Sequence, residues 1–183
     1  MRAPDDRVTQ ILAEWERERP DLDASPMGVI GRIHRIGQHL TEEITRVYRD
    51  FGLGEGDFDV LATLRRAGAP YERIPSALAA STMVTTGAMT KRIDRLEGAG
   101  LVSRRVSETD GRGRVVQLTP RGLELIDEAY GRHLANEERL LAGVSGEDRA
   151  ALARILGRWL ADIEGGSAGE AGSTGEAGSA GRP

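Results

Sequence analysis

Apolar residues recur every three or four positions through most of this chain, and the rhythm shortens to an alternation only once. Val8, Ile11, Leu12 and Trp15 fall at helical spacing within a charged segment that Pro20 closes. Over 26–51, Ile30, Ile33, Gly37, Leu40, Ile44, Val47 and Phe51 mark one face of a long helix, and glycines at 52, 54 and 56 break the chain. Asp57 is placed to cap the next helix, whose Phe58, Leu61 and Leu64 run to Arg66. The stretch AGAPYER reads as a loop, and Pro75 opens a short helix through Leu78 and Ala80. After a turn at Ser81 and Thr82, Met89, Ile93 and Leu96 set the buried stripe of a further helix. Thr85 and Thr86 serve as its caps and Gly100 as its stop. The alternation then predicts two strands, 102–105 and 115–118, joined by a TDGRG hairpin tip. Pro120 starts a long helix striped by Leu123, Ile126, Tyr130, Leu134 and Leu141. Ser145 caps a last one carrying Leu152, Ile155, Leu156, Trp159, Leu160 and Ile163.

Helix, helix, turn, helix, hairpin is a winged helix-turn-helix in outline, expected over 57–119. The helices at 26–51 and 120–164 are too apolar on one side to stay exposed, so they are expected to form a dimerisation region. An extra amino-terminal helix occupies 1–20. It is too short to be stable alone and must lie on the main body or on a second subunit. Residues 165–183, rich in Gly, Ser, Ala and Glu, lack the apolar content to fold and are expected to be a disordered tail. The fold class is mainly α with a small β-wing.

Charge sharpens that picture. Between Thr85 and Arg121 eight cations (Lys91, Arg92, Arg95, Arg104, Arg105, Arg112, Arg114 and Arg121) face four carboxylates, while the 183-residue chain carries −4 overall. A local cationic face on an acidic protein is the footprint of a nucleic-acid surface. A polar-tipped helix suits a major groove, and an arginine at the hairpin tip reaches a minor groove. Double-stranded DNA is therefore the expected partner, against the plainer alternatives of a solvated charged surface or a protein-interaction module that does not bind DNA.

Other chemistry finds little support. Cysteine is absent, which removes disulfides, thiolate zinc sites and thiol redox switching. His34 and His39 share no helical face and no metal-ligand spacing. GLGEG has neither the dinucleotide nor the Walker spacing, and GVSG at Ser145 lacks the nucleophile-elbow spacing. A hydrolase working through Ser145 and His133 lacks a credible catalytic arrangement, so neither an enzyme nor a cofactor is expected. No apolar leader opens the chain and no run is long enough to span a membrane, so a cytoplasmic protein is expected.

Three stretches, GAMTKRIDRLEGAGLVSR, TDGRGRVVQLT and SGEDRAALARIL, together resemble the multiple-antibiotic-resistance regulator (MarR) family, over roughly 28–163. The resemblance implies a homodimeric, ligand-responsive transcriptional regulator, most simply a repressor on a pseudo-palindromic operator. It sets Thr85, Thr86, Gly87, Thr90 and Lys91 on the base- and phosphate-facing part of the recognition helix, and the local excess of cations adds Arg95 and Arg114 to the expected DNA-facing residues. It makes Arg112 the minor-groove arginine, with Asp110 orienting it or capping the turn. Where the family commonly has Asp-Arg-Arg, this chain has Asp110-Gly111-Arg112, which implies a looser tip.

The extra helix with Trp15, FDVLATLRR and TKRIDRLE further resemble the urate-responsive branch. That likeness implies an effector site of Trp15, Asp59, Arg92 and Arg104, with Arg105 replacing Arg104 if the register slips by one. Its ligand is a small anionic aromatic effector, urate or a related purine. Read from the residues alone, Trp15 is a packing anchor or a ligand contact, and Asp59 and Arg92 are a plain salt bridge or an effector switch.

Overall fold

The computed structural model describes residues 6–82, 86–106 and 114–171. They fall into two compact units, one ending at Glu137 and one starting at Glu138.

In the first unit α1 (Arg7–Glu18) begins at Asp6, whose carboxylate accepts the Thr9 N–H at 2.9 Å. It lies on α2 (Met27–Asp50), burying Val8 against Gly31 and seating Leu12 against Gly28. Arg32 of α2 donates to Asp6 and to the Thr9 hydroxyl, both at 2.8 Å. These bonds, Arg32's foremost, hold the Asp6 carboxyl at about 2. The amino-terminal helix thus packs on the body of its own chain.

Next, α3 (Glu55–Arg66) starts three residues earlier than the sequence suggested, with Gly54 rather than Asp57 at its cap. Asp57 is therefore not the cap residue but the third residue of the helix. Its carboxylate reaches back to accept the Gly54 N–H at 3.0 Å, which satisfies an amide the helix leaves orphaned. A two-residue strand, β1 (Glu72–Arg73), follows where a loop was expected. It pairs antiparallel with the second wing strand, Glu72 opposite Gln117. Pro75 is the first residue of α4 (Pro75–Ser81), and α5 (Thr86–Gly98) ends as foreseen. Gly100 takes a φ of +71°, while the Leu101 N–H returns to the Leu96 carbonyl at 2.9 Å.

The strands β2 (Val102–Val106) and β3 (Arg114–Leu118) complete an antiparallel sheet of order β1-β3-β2. The core sits where α3, α4, α5 and the sheet meet. Val60, Leu61, Leu64, Leu78 and Val116 are wholly buried, and Met89, Ile93 and Leu96 are 1% exposed. The first turn of α6 (Pro120–Leu140) approaches the backbone so closely that a Cβ on Gly122 would overlap the Leu101 carbonyl.

The second unit holds the end of α6 and α7 (Gly146–Ala171). Ser145 caps α7 by accepting the Asp148 N–H at 3.1 Å. Arg149 closes the turn before it, donating to Glu138 at 2.8 Å and to the Leu141 carbonyl at 2.7 Å. The helix runs past Gly165, where the sequence placed the start of a disordered tail, to Ala171. Propagating an established helix adds one hydrogen bond per residue fixed, so the Ala and Glu residues beyond Gly166 extend it despite the glycines. The rest of that tail lies outside the described residues. Among the described residues no helix is long and apolar enough to cross a membrane.

Candidate nucleic-acid interface

The helix α5 carries two unlike faces. Met89, Ile93 and Leu96 are spent on the core, which turns Gly87, Thr90 and Lys91 outward, all three exposed. Thr86 is the first residue of the helix, and Thr85 and Arg112 lie outside the described residues. Arg114 is exposed at the start of β3, opposite Val106. Helix face and strand end thus offer polar and cationic groups on a rigid base.

Arg95, Arg104 and Arg105 are not free-standing charges. Arg95 donates through Nε to both oxygens of Asp57, at 3.0 and 3.1 Å, and through Nη2 at 2.5 Å. Asp57 is buried while the Arg95 side chain is 60% exposed. Arg104 on β2 is held by Asp94 and Glu97 of α5, and its N–H donates to Glu97 at 3.0 Å. Its guanidinium, an expected effector contact, already serves two carboxylates that tie the wing to the recognition helix. Those bonds raise its pKa further, Asp94's most. Arg105 is likewise paired, with Glu72 of β1 at 2.5 Å. Sequence reasoning took Asp57 for a helix cap, counted Asp94 and Glu97 only as charge, and passed over Glu72. Asp94 and Glu97 lie seven to ten positions from Arg104, but Asp57 and Glu72 sit more than thirty positions from their partners, and no local pattern links them.

Of the expected effector residues, Asp59 and Arg92 come under each other's influence. Burial raises the Asp59 carboxyl above its ordinary range and Glu55 adds to this, while Arg92, Arg66 and His133 oppose it. No direct ion pair joins Asp59 and Arg92 among the described residues. The Arg92 guanidinium instead lies over Gly56, in the volume a Cβ there would fill. Beside them an aromatic group has formed. Tyr48 stacks on Phe58 at 4.0 Å, and His133 lies 5.1 Å from Phe58. His133 faces the Tyr48 hydroxyl at 3.4 Å and Glu137 at 3.2 Å. Burial drives the Tyr48 hydroxyl's pKa upward.

Trp15 stands apart from this group within one chain. It is half exposed and lines a groove with Arg19, Leu22, Pro26 and Met27 that contains none of Asp59, Arg92 and Arg104. Among the described residues no cluster of three or more His, Asp or Glu is arranged to hold a metal.

Comparison with known proteins agrees with this architecture. The MarR family profile matches residues 53–113. The chain is 40% identical over 151 residues to the HTH-type transcriptional regulator PecS of Dickeya dadantii, covering 82% of this chain and 91% of that protein. It is 30% identical over 135 residues to the HTH-type transcriptional repressor Rv2887 of Mycobacterium tuberculosis, covering 73% and 93%. Among solved structures it is similar to AbsC, a MarR family transcriptional regulator from Streptomyces coelicolor, with a TM-score of 0.70 and 26% identity over 79% of this chain and 97% of that one. It is also similar to a MarR mutant from E. coli complexed with operator DNA, with a TM-score of 0.63 and 25% identity over 74% and 94%. Curated relatives named as transcriptional regulators, the matching profile and the winged-helix fold agree: the chain belongs to the MarR family, as a winged-helix transcriptional regulator rather than an enzyme.

Proposed function

We propose that this protein binds a pseudo-palindromic operator as a homodimer and represses transcription until a small anionic aromatic effector, such as urate or a related purine, releases it. The observation that carries the DNA reading is the outward face of α5. Gly87, Thr90 and Lys91 project from a helix whose other side is fixed in the core, so a groove-reading surface is held ready without reorganisation. The operator complex of a structural relative and the repressor among the curated relatives support the same reading. Exposed apolar residues on α2 and α7, Ile30, Ile36, Leu156 and Leu160 among them, support the dimer. A dimer also matches the two-fold symmetry of paired half-sites.

The effector reading rests on Asp59 and Arg92. An anion drawn to Arg92, on the recognition helix, repels the Asp59 carboxylate on α3 and so biases how the two helices sit.

The test is to select a duplex from the source genome with the purified chain and then challenge the complex with urate and a panel of other anions. Urate is expected to weaken binding, and Asp59→Asn or Arg92→Ala to blunt that response. A complex indifferent to every anion removes the effector assignment and leaves the DNA reading standing. Arg112→Ala is expected to weaken duplex binding with the dimer intact in sedimentation, and to lower the slope of log affinity against log salt by about 0.9. Undiminished affinity takes the wing out of the mechanism.

A further inference from the structure

We infer that Asp57 is a positioning residue for duplex binding: it grips one edge of the Arg95 guanidinium and so holds the opposite edge open for a DNA phosphate. The inference rests on the duplex-binding reading above.

The pair is lopsided in a way a simple bolt between α3 and α5 is not. Asp57 is 5% exposed at its side chain and Arg95 is 60% exposed. The carboxylate is fixed from behind, since it also accepts the Gly54 N–H at 3.0 Å at the start of α3. It meets Arg95 side-on, taking the Nε and one Nη2 hydrogen. A guanidinium is a planar fork of five donors, so three N–H groups remain on the outer edge. Among the described residues no acceptor takes its Nη1. The fork that matches a carboxylate on one side matches a phosphate on the other.

Position adds to the argument. Arg95 follows exposed Lys91 by one helical turn on α5, away from the buried stripe of Met89, Ile93 and Leu96. An arginine waving in solvent loses rotamer freedom when it meets a phosphate, whereas here that freedom is already lost on folding. Arg104 shows the contrary case. Both of its terminal nitrogens are engaged by Asp94 and Glu97, and its side chain is 23% exposed. Arg104 is consumed by the fold, and Arg95 is aimed by it.

The experiment uses the full chain and a duplex that the wild type selects from a random-sequence library. A wild type that selects nothing ends the DNA reading itself, which keeps that failure separate. Arg95→Gln is expected to weaken binding about tenfold and to lower the slope of log affinity against log salt by about 0.9, as one lost phosphate contact requires. Asp57→Asn is expected to weaken binding about fivefold in the wild type and less than about twofold in the Arg95→Gln background, since it acts through Arg95. A salt slope untouched by Arg95→Gln overturns the inference. So does an Asp57→Asn cost that is the same in both backgrounds. If thermal melts show that Asp57→Asn does not fold, Arg95→Lys decides. It keeps the charge but has no edge to grip, so a loss of about fivefold is expected, and wild-type affinity overturns the proposal.

Discussion

The winged-helix core and the long helices treat their apolar residues in opposite ways. In the core, Leu61, Leu64, Leu78 and Val116 are wholly buried by neighbours from the same chain. On α2 and α7, Val29, Ile30, Ile36, Leu152, Ile155, Leu160 and Ile163 are each 46% to 57% exposed, although they are as apolar and as regularly spaced. The sequence pattern is the same in both places, and only the surroundings differ. One surface is finished by a single chain, and the other awaits the second copy proposed above. The charged residues divide in a similar way. Glu72, Asp94 and Glu97 hold Arg105 and Arg104 against the winged helix and Asp57 holds one edge of the exposed Arg95, while Lys91 and Arg114 are exposed as well.

The contrast can be broken at graded cost. Leu64→Ala removes a side chain with no exposed area, so denaturant melts are expected to show a loss of about 2–5 kcal/mol. Gly122→Ala forces a methyl group into the Leu101 carbonyl, and a loss of about 1–3 kcal/mol or more is expected as α6 is pushed off the sheet. On the other surface, Leu160→Ser is expected to change the intrinsic stability of one chain by no more than about 0.5 kcal/mol. Its effect belongs in sedimentation instead, as a weaker dimer whose melting temperature depends more steeply on concentration. A Leu160→Ser chain that assembles like wild type takes α7 out of the interface.

The smallest effect concerns pH. The folded Asp59 carboxyl sits above its unfolded value, chiefly because it is buried, so in the pH window between the two values the folded state binds more proton than the unfolded chain. The stability tied to that proton is fully present below the unfolded value and is lost as pH rises through the folded one. Asp59→Asn removes the titration. Melts of the two proteins are expected to converge at low pH, with the variant gaining on wild type as pH climbs out of the carboxylate range. Parallel curves would place Asp59 in ordinary solvent.

Where period and local spacing decide structure, the sequence was legible. The stripe of Met89, Ile93 and Leu96 located α5 and its buried face, Gly100 marked its end, and Pro75 marked the start of α4. What depends on distant partners was not. β1 is two residues long, too short to alternate, and exists only because β3 is there to receive it. Asp57 looked like a helix cap because Asp is a good one, and nothing near it in the chain announced Arg95. Arg104 looked like an available cation because charge can be counted in a sequence while its neutralisation by Asp94 and Glu97 cannot. Tyr48 missed the expected stripe of α2, yet it is buried, because it stacks on Phe58 from a different helix.

Gly122 leaves no cushion between the first turn of α6 and the chain at Leu101. Side chains at most helix contacts can shift rotamer and absorb a small displacement, but here backbone meets backbone. A displacement of the first turn of α6 is therefore met at once by the chain that leads into β2, with no side chain between them to give way.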